Sequence, residues 1–179
     1  MQQAVLTFWF EEVTQEQWFA KGEEIDAIIA ERFGALLEQA AAGELYTWRN
    51  TAHGRLAEII VLDQFSRNVF RHTPRAFAQD AMALVLAQEA VSNGTLQALE
   101  QEDERTFLLM PYMHSESAAI HEVAVPLFKE YARQSSYEFE IKHKEIVDRF
   151  GRYPHRNSVL GRVSTEEEEA FLQLPGSSF

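Results

Sequence analysis

The stretch from Thr51 to Phe70 constrains this chain more than any other. It holds Leu56, Ile59, Ile60, Val61, Leu62, Phe65, Val69 and Phe70 without the strict alternation of a half-buried strand. Wound as a helix at about 100° per residue, these side chains cover the whole circumference. A helix apolar all round must be enclosed by other elements. The fold therefore needs a shell around one central helix, and the rest of the sequence supplies helices to build it.

Glu23 to Ala42 is the clearest amphipathic helix. Ile25, Ile28, Ile29, Phe33, Leu36, Leu37 and Ala40 recur at three- and four-residue steps, and Gly43 stands where a helix ends. Val5 to Phe10 reads as a short buried helix, and Thr14 with Gln17 has capping-box spacing. Thr73-Pro74 opens a helix carrying Phe77, Met82, Leu86 and Val91 that stops at Asn93-Gly94. Glu102 to Met110 is predicted as a helix halted by Pro111.

Ser115 is expected to cap the next helix, which runs to about Arg133 with a kink at Pro126. Glu116 would then sit in its first turn. Ser135 and Glu138 suggest a capping box for a helix ended by Gly151. Ser164 and Glu167 suggest another for a short last helix, and residues 173–179 read as a loose tail. No alternating strand pattern and no long linker is visible. At 179 residues the chain reads as one all-α domain of seven to nine helices packed as antiparallel neighbours.

Composition narrows the function classes. The net charge of −12 at pH 7 sets the chain against nucleic acid and anionic membranes, so neither is expected as a partner. The absence of cysteine removes disulfides, thiolate nucleophiles and zinc–thiolate sites, and fits a reducing, cytoplasmic setting. The opening residues have no basic region before the apolar run, unlike a signal peptide, and no apolar run approaches the roughly 20 residues of a membrane span.

Three polar constellations stand out. On the central helix Asp63, Gln64, Arg67, Asn68 and Arg71 fall on one arc of about 140°. Buried charges are costly unless paired, so something must face this arc. It is either a structural network that locks the helices or the lining of a pocket in which arginines hold an anion. The second constellation is Met110 to Glu116, where His114 and Glu116 offer acid–base groups. The bland alternative is a packed histidine beside a helix start.

The third is Ile141 to Val163, basic through Lys142, Lys144, Arg149, Arg152, Arg156 and Arg162. Gln64 to Gln79 is likewise basic, with Arg67, Arg71 and Arg75 and no acid. If the two islands meet, they make a positive focus suited to a carboxylate or phosphate; otherwise they neutralise the acidic helices. Glu140 and His143 have the spacing of half a di-iron site, but the second half is missing. No phosphate loop, nucleophile elbow or dinucleotide fingerprint occurs, so no metal or cofactor is expected.

Together Leu62-Asp63-Gln64-Phe65-Ser66-Arg67-Asn68, Met110-Pro111 through His114-Ser115-Glu116, and Phe150-Gly151-Arg152-Tyr153-Pro154-His155-Arg156-Asn157 resemble the domain of unknown function 924 family. Phe8-Trp9-Phe10, Trp18-Phe19 and Leu160-Gly161-Arg162 fit the same pattern, with Ser66 standing where that family is expected to carry proline. The resemblance implies a bacterial protein of packed helical hairpins, similar to a tetratricopeptide-type right-handed superhelix. It implies no activity. Two functional expectations result. One is a binding module in which Asp63, Gln64, Arg67, Asn68, Arg71, His114, Arg152, His155, Arg156 and Asn157 hold an anionic small molecule or an acidic peptide. The other is a small cofactor-independent enzyme using His114, Glu116 and Asp63 as acid–base groups, with His143 or His155 assisting.

Overall fold

The computed structural model describes residues 1–19 and 22–178, and within them the secondary structure is helical with no strand. The predicted central helix is present, in three parts that run on without a break: α4 (Ala52–Ile60), a π-helical turn (Val61–Phe65) and α5 (Ser66–Val69). Thr51 caps it by accepting a hydrogen bond from the Gly54 amide at 3.0 Å. Leu56, Ile59, Ile60, Val61, Leu62 and Phe65 are all buried, as a helix apolar all round requires.

The shell forms around this axis. α1 (Gln2–Thr7) passes into a second π-helical turn, Phe8–Glu12, and is followed by α2 (Gln15–Phe19). Thr14 and Gln17 exchange the capping hydrogen bonds their spacing predicts. α3 (Glu23–Ala41) lies along the π turn and α5, and Phe33 meets Phe65 with ring centroids 5.1 Å apart. A 3-10 turn (Tyr46–Asn50) leads into α4 so closely that a Cβ on Gly54 would lie on the carbonyl oxygen of Trp48. α6 (Asp80–Ser92) follows the 3-10 turn Pro74–Phe77, and just past its end Gly94 takes a φ of 74° that glycine adopts freely. After α7 (Thr95–Ala98), α8 (Glu102–Met113) packs on both α4 and α6.

From there the chain stacks in sequence, α8 against α9 (Ala118–Tyr131) and α9 against α10 (Gln134–Phe150). A 3-10 turn (Pro154–Arg156) and α11 (Glu166–Leu172) close the far end. Ser177 folds back, its hydroxyl donating to the Leu172 carbonyl at 3.2 Å. Among the described residues no helix is long and apolar enough to cross a membrane.

Several local expectations are corrected. Pro111 does not halt α8, which continues to Met113. Pro111 forfeits one hydrogen bond, and the burial of Phe107, Leu108, Leu109, Tyr112 and Met113 around it holds the turn. α9 starts at Ala118 rather than at Ser115, whose hydroxyl instead accepts from the Ser117 amide at 3.2 Å. Glu116 therefore lies outside the first turn. Arg133, with no capping hydrogen bond, stands at the N-cap of α10 in place of the expected Ser135–Glu138 box. The last box is Thr165 with Glu168, one residue beyond the expected pair.

Candidate functional site

The π turn places the first residue of the site. It adds a residue to one turn of the central helix, and Asp63 and Gln64 lie within it, both buried. α8 ends at this level, with His114 as its C-cap. The His114 Nδ1 lies 2.7 Å from Asp63 Oδ1, and the side-chain amide of Gln64 donates to Asp63 Oδ2 at 2.5 Å. An ionised carboxylate can only accept, which assigns the imidazole proton to Nδ1. The other ring nitrogen, Nε2, makes no hydrogen bond among the described residues, and the side chain is 15% exposed.

Arginines from both basic islands complete the cluster. Arg67 donates through Nη1 to the Asp63 carbonyl at 2.9 Å and to its carboxylate at 3.1 Å. It also forks onto Asp80, the first residue of α6, at 2.8 and 2.9 Å. Arg156 donates to the same Asp80 at 3.1 Å and to the His114 carbonyl at 3.0 Å. Phe77 lies beneath both guanidiniums, 5.5 Å from Arg67 and 4.5 Å from Arg156. The Nε of Arg156 is buried and makes no hydrogen bond among the described residues.

The electrostatics fix the protonation states. Burial alone would raise the Asp63 carboxyl, but His114, Arg67 and the Gln64 hydrogen bond hold it below the usual carboxylate range. Burial, seconded by the Arg67 guanidinium, pushes His114 below its ordinary value. Asp63 is therefore an anion and His114 a neutral imidazole at pH 7. Burial and Arg67 likewise lower Arg156. Two arginines against two aspartates leave the cluster close to neutral rather than a positive focus.

The polar arc does not stay together. Asn68 and Arg71 turn to α3, where both bind Asp26. Asn68 donates at 2.8 Å, and Arg71 forks at 2.5 and 2.7 Å. Glu116 does not join His114; it takes both terminal nitrogens of Arg162 at 2.7 and 2.8 Å and the Tyr153 amide at 2.7 Å. Arg152 forks onto Glu168 at 2.6 and 2.7 Å. Asn157 is buried between Ser164 and Arg162, at 3.0 and 2.9 Å. His155 packs on Tyr153 with ring centroids 5.6 Å apart.

Sequence reasoning missed two features. Asp80 is the first acid after the acid-free stretch Gln64–Gln79, and that position was the available signal. The other is a second imidazole–carboxyl pair. His121 Nδ1 lies 2.6 Å from Glu140 Oε1, and both side chains are fully buried. Its Nε2 faces the Ser115 carbonyl at 2.9 Å and the Tyr153 hydroxyl at 3.1 Å, and that hydroxyl already donates to the Met113 carbonyl at 2.6 Å. Both neighbours call for a proton on Nε2, so a single proton is shared between Nδ1 and Glu140. Burial raises Glu140 despite His121. Thus Glu140 serves His121, while His143 donates to the Phe139 carbonyl at 2.7 Å. Among the described residues no group of three or more His, Asp or Glu side chains is arranged to hold a metal ion.

Two surface recesses, of about 250 and 230 Å³, lie away from His114. A comparison with curated proteins finds no match. A solved structure of a protein of unknown function, ATU0120 from Agrobacterium tumefaciens, is similar, with a TM-score of 0.90 and 35% identity over 96% of each chain. Residues 5–176 match the family described as "Bacterial protein of unknown function (DUF924)". The chain belongs to that family, in keeping with the motifs on its central helix and in the Phe150–Asn157 loop.

Proposed function

We propose that the protein acts on a small molecule by proton transfer at His114, without a cofactor. The observation that carries this reading is the Asp63–His114 pair. A buried carboxylate fixes the imidazole tautomer at 2.7 Å and leaves the Nε2 lone pair without a hydrogen-bond partner among the described residues, on a side chain that is 15% exposed. A neutral imidazole held in one tautomer is a proton acceptor ready at pH 7. Arg67, locked by Asp63 and Asp80, is a positioning residue that keeps Asp63 ionised and His114 neutral. Glu116 has no part in this chemistry, because Arg162 occupies its carboxylate.

The second reading is binding without chemistry, with an anionic small molecule or an acidic peptide end as ligand. Its support is the Nε of Arg156, which has no hydrogen-bond partner among the described residues, on a guanidinium that shares Asp80 with Arg67. It is the weaker of the two, because Arg67, Arg71, Arg152 and Arg156 each already hold a carboxylate.

Nitrogen-15 NMR of the imidazoles tests the first reading. His114 should be neutral at pH 7 with its proton on Nδ1. Its Nε2 should react with diethylpyrocarbonate faster than the fully buried His121. Asp63→Asn should release the tautomer preference. A His114 protonated at pH 7, or one inert to the reagent, would end the proposal.

A further inference from the structure

A separate site lies near the opposite end of α8 from His114, where the N-terminus of α10 lines the 250 Å³ recess. α10 is 17 residues long, and its N-cap, Arg133, provides no capping acceptor. The first-turn amides of Gln134, Ser135 and Ser136 thus keep their hydrogen-bonding capacity, at the positive end of the helix. Ser136 adds an independent observation. It is only 7% exposed and lines the recess, and its hydroxyl makes no hydrogen bond among the described residues. The Ser136 hydroxyl is not sealed from solvent, so it can donate to an acceptor oxygen bound in the recess.

The opposite wall is aromatic. Phe107 forms the floor, with Trp18 edge-on at 4.9 Å between centroids and Phe19 parallel to it at 6.4 Å. Phe19 is 66% exposed, which is unusual for so large an apolar side chain beside two other rings. Arg133 is held at the rim by Gln15 at 3.0 Å and by Asp103 at 2.6 Å, so its charge is cancelled there. Glu16, exposed on α2, is the remaining charge lining the recess. That balance favours a monoanion over a phosphate dianion, because Glu16 repels each added charge. The volume, just below the usual range of ligand pockets, suits a single ring.

We propose that this recess binds a small aromatic monocarboxylate. Its carboxylate caps the first turn of α10 and accepts from the Ser136 hydroxyl, and its ring lies against Trp18, Phe19 and Phe107. This site is independent of the chemistry assigned to His114.

Phenylacetate titrated into the full chain, followed by amide NMR and tryptophan fluorescence, tests it. Saturable shifts centred on Ser135 and Ser136 are expected, with a fluorescence change from Trp18. Benzyl alcohol, which keeps the ring and lacks the carboxylate, should bind at least about tenfold more weakly, the scale of a charged hydrogen bond. Ser136→Val should weaken phenylacetate to a similar degree, and His114→Gln should leave it unchanged. If Ser136→Val does not fold, Phe19→Ala takes its place, because an exposed ring can be removed without opening the core; it should weaken binding severalfold. No saturation, shifts centred elsewhere, or undiminished binding by the folded variant would overturn the proposal.

Discussion

Arg67 and Arg156 grip one carboxylate: both donate to Asp80 Oδ2, at 2.9 and 3.1 Å. This bridge joins the central helix to the turn that follows α10, across 89 residues of chain. It also brings the two basic islands of the sequence together around a single acid. Asp80 is thus the residue that lets two mostly buried guanidiniums share a space.

Removing either side of that bridge should be costly and non-additive. Arg67→Ala leaves Asp63 and Asp80 short of a partner, and Asp80→Ala leaves two guanidiniums facing each other. Each is expected to lose roughly 3 kcal/mol, the scale of breaking a buried pair. The double variant should lose clearly less than the sum, because each single change already forfeits the same contact. Urea unfolding of the three variants measures this. Additive losses would mean that the bridge carries no coupling energy.

Acid should destabilise the fold earlier than its carboxylates alone would require. Burial lowers His143 to about 3, and burial with Arg67 lowers His114. Unfolded histidines titrate near about 6.5. Below that pH the unfolded chain takes up protons that the folded chain refuses, so stability falls as the pH drops. Glu140, raised by burial, works in the opposite sense: the folded state keeps a proton that the unfolded state loses above about 4.5, which offsets part of the decline. Asp63, held low, adds stability that is lost only at still lower pH. Unfolding free energies between pH 7.5 and 4.5 should decline, and the slope should be shallower in His143→Gln. A flat profile would contradict the burial of neutral histidines.

The helices were legible because their apolar residues repeat at three and four, and the ends carrying Gly43, Gly94 and Gly151 because those positions adopt positive φ. Pro111 misled because a proline's local cost is modest beside the burial of the side chains around it. The last capping box slipped by one because Ser-Thr before four glutamates offers two overlapping boxes. At the site, the Asp63–Arg67 pair could be read from its spacing. The His114 contact could not, because the partners are 51 residues apart and only the packing of α8 on α4 brings them together. The arc split because an idealised helix has no π turn, and because Asp26 on α3 gave Asn68 and Arg71 a partner of their own.

The shared proton of the His121–Glu140 pair yields a sharp contrast between two substitutions. Glu140→Gln keeps the shape and can donate an amide hydrogen to Nδ1, so stability at pH 7 should stay within about 1 kcal/mol of the parent. Because the raised carboxyl no longer has to be satisfied, the variant should gain on the parent as the pH rises. Glu140→Ala removes the partner and leaves a void beside a fully buried ring, a loss of roughly 2–4 kcal/mol. Equal losses from the two would show that the pair is an ion pair that needs its charge.

Gly54 tests whether the enclosure of the central helix is as tight as the backbone implies. It sits in the first turn of α4, where alanine is ordinarily the better helix former by about 1 kcal/mol. A methyl group there would overlap the Trp48 carbonyl oxygen and crowd the Gln2 side chain at 2.7 Å. The carbonyl belongs to the backbone of the 3-10 turn, so it cannot rotate aside, and the turn itself would have to shift. Gly54→Ala is therefore expected to destabilise by about 1–3 kcal/mol, reversing the sign that helix propensity gives. Gly34→Ala, in the middle of α3 with open space around its Cβ position, should stabilise slightly instead. Melting curves of the two variants against the parent decide it: shifts of the same sign in both would mean that the turn before α4 yields freely and that the helix entry is not sterically fixed.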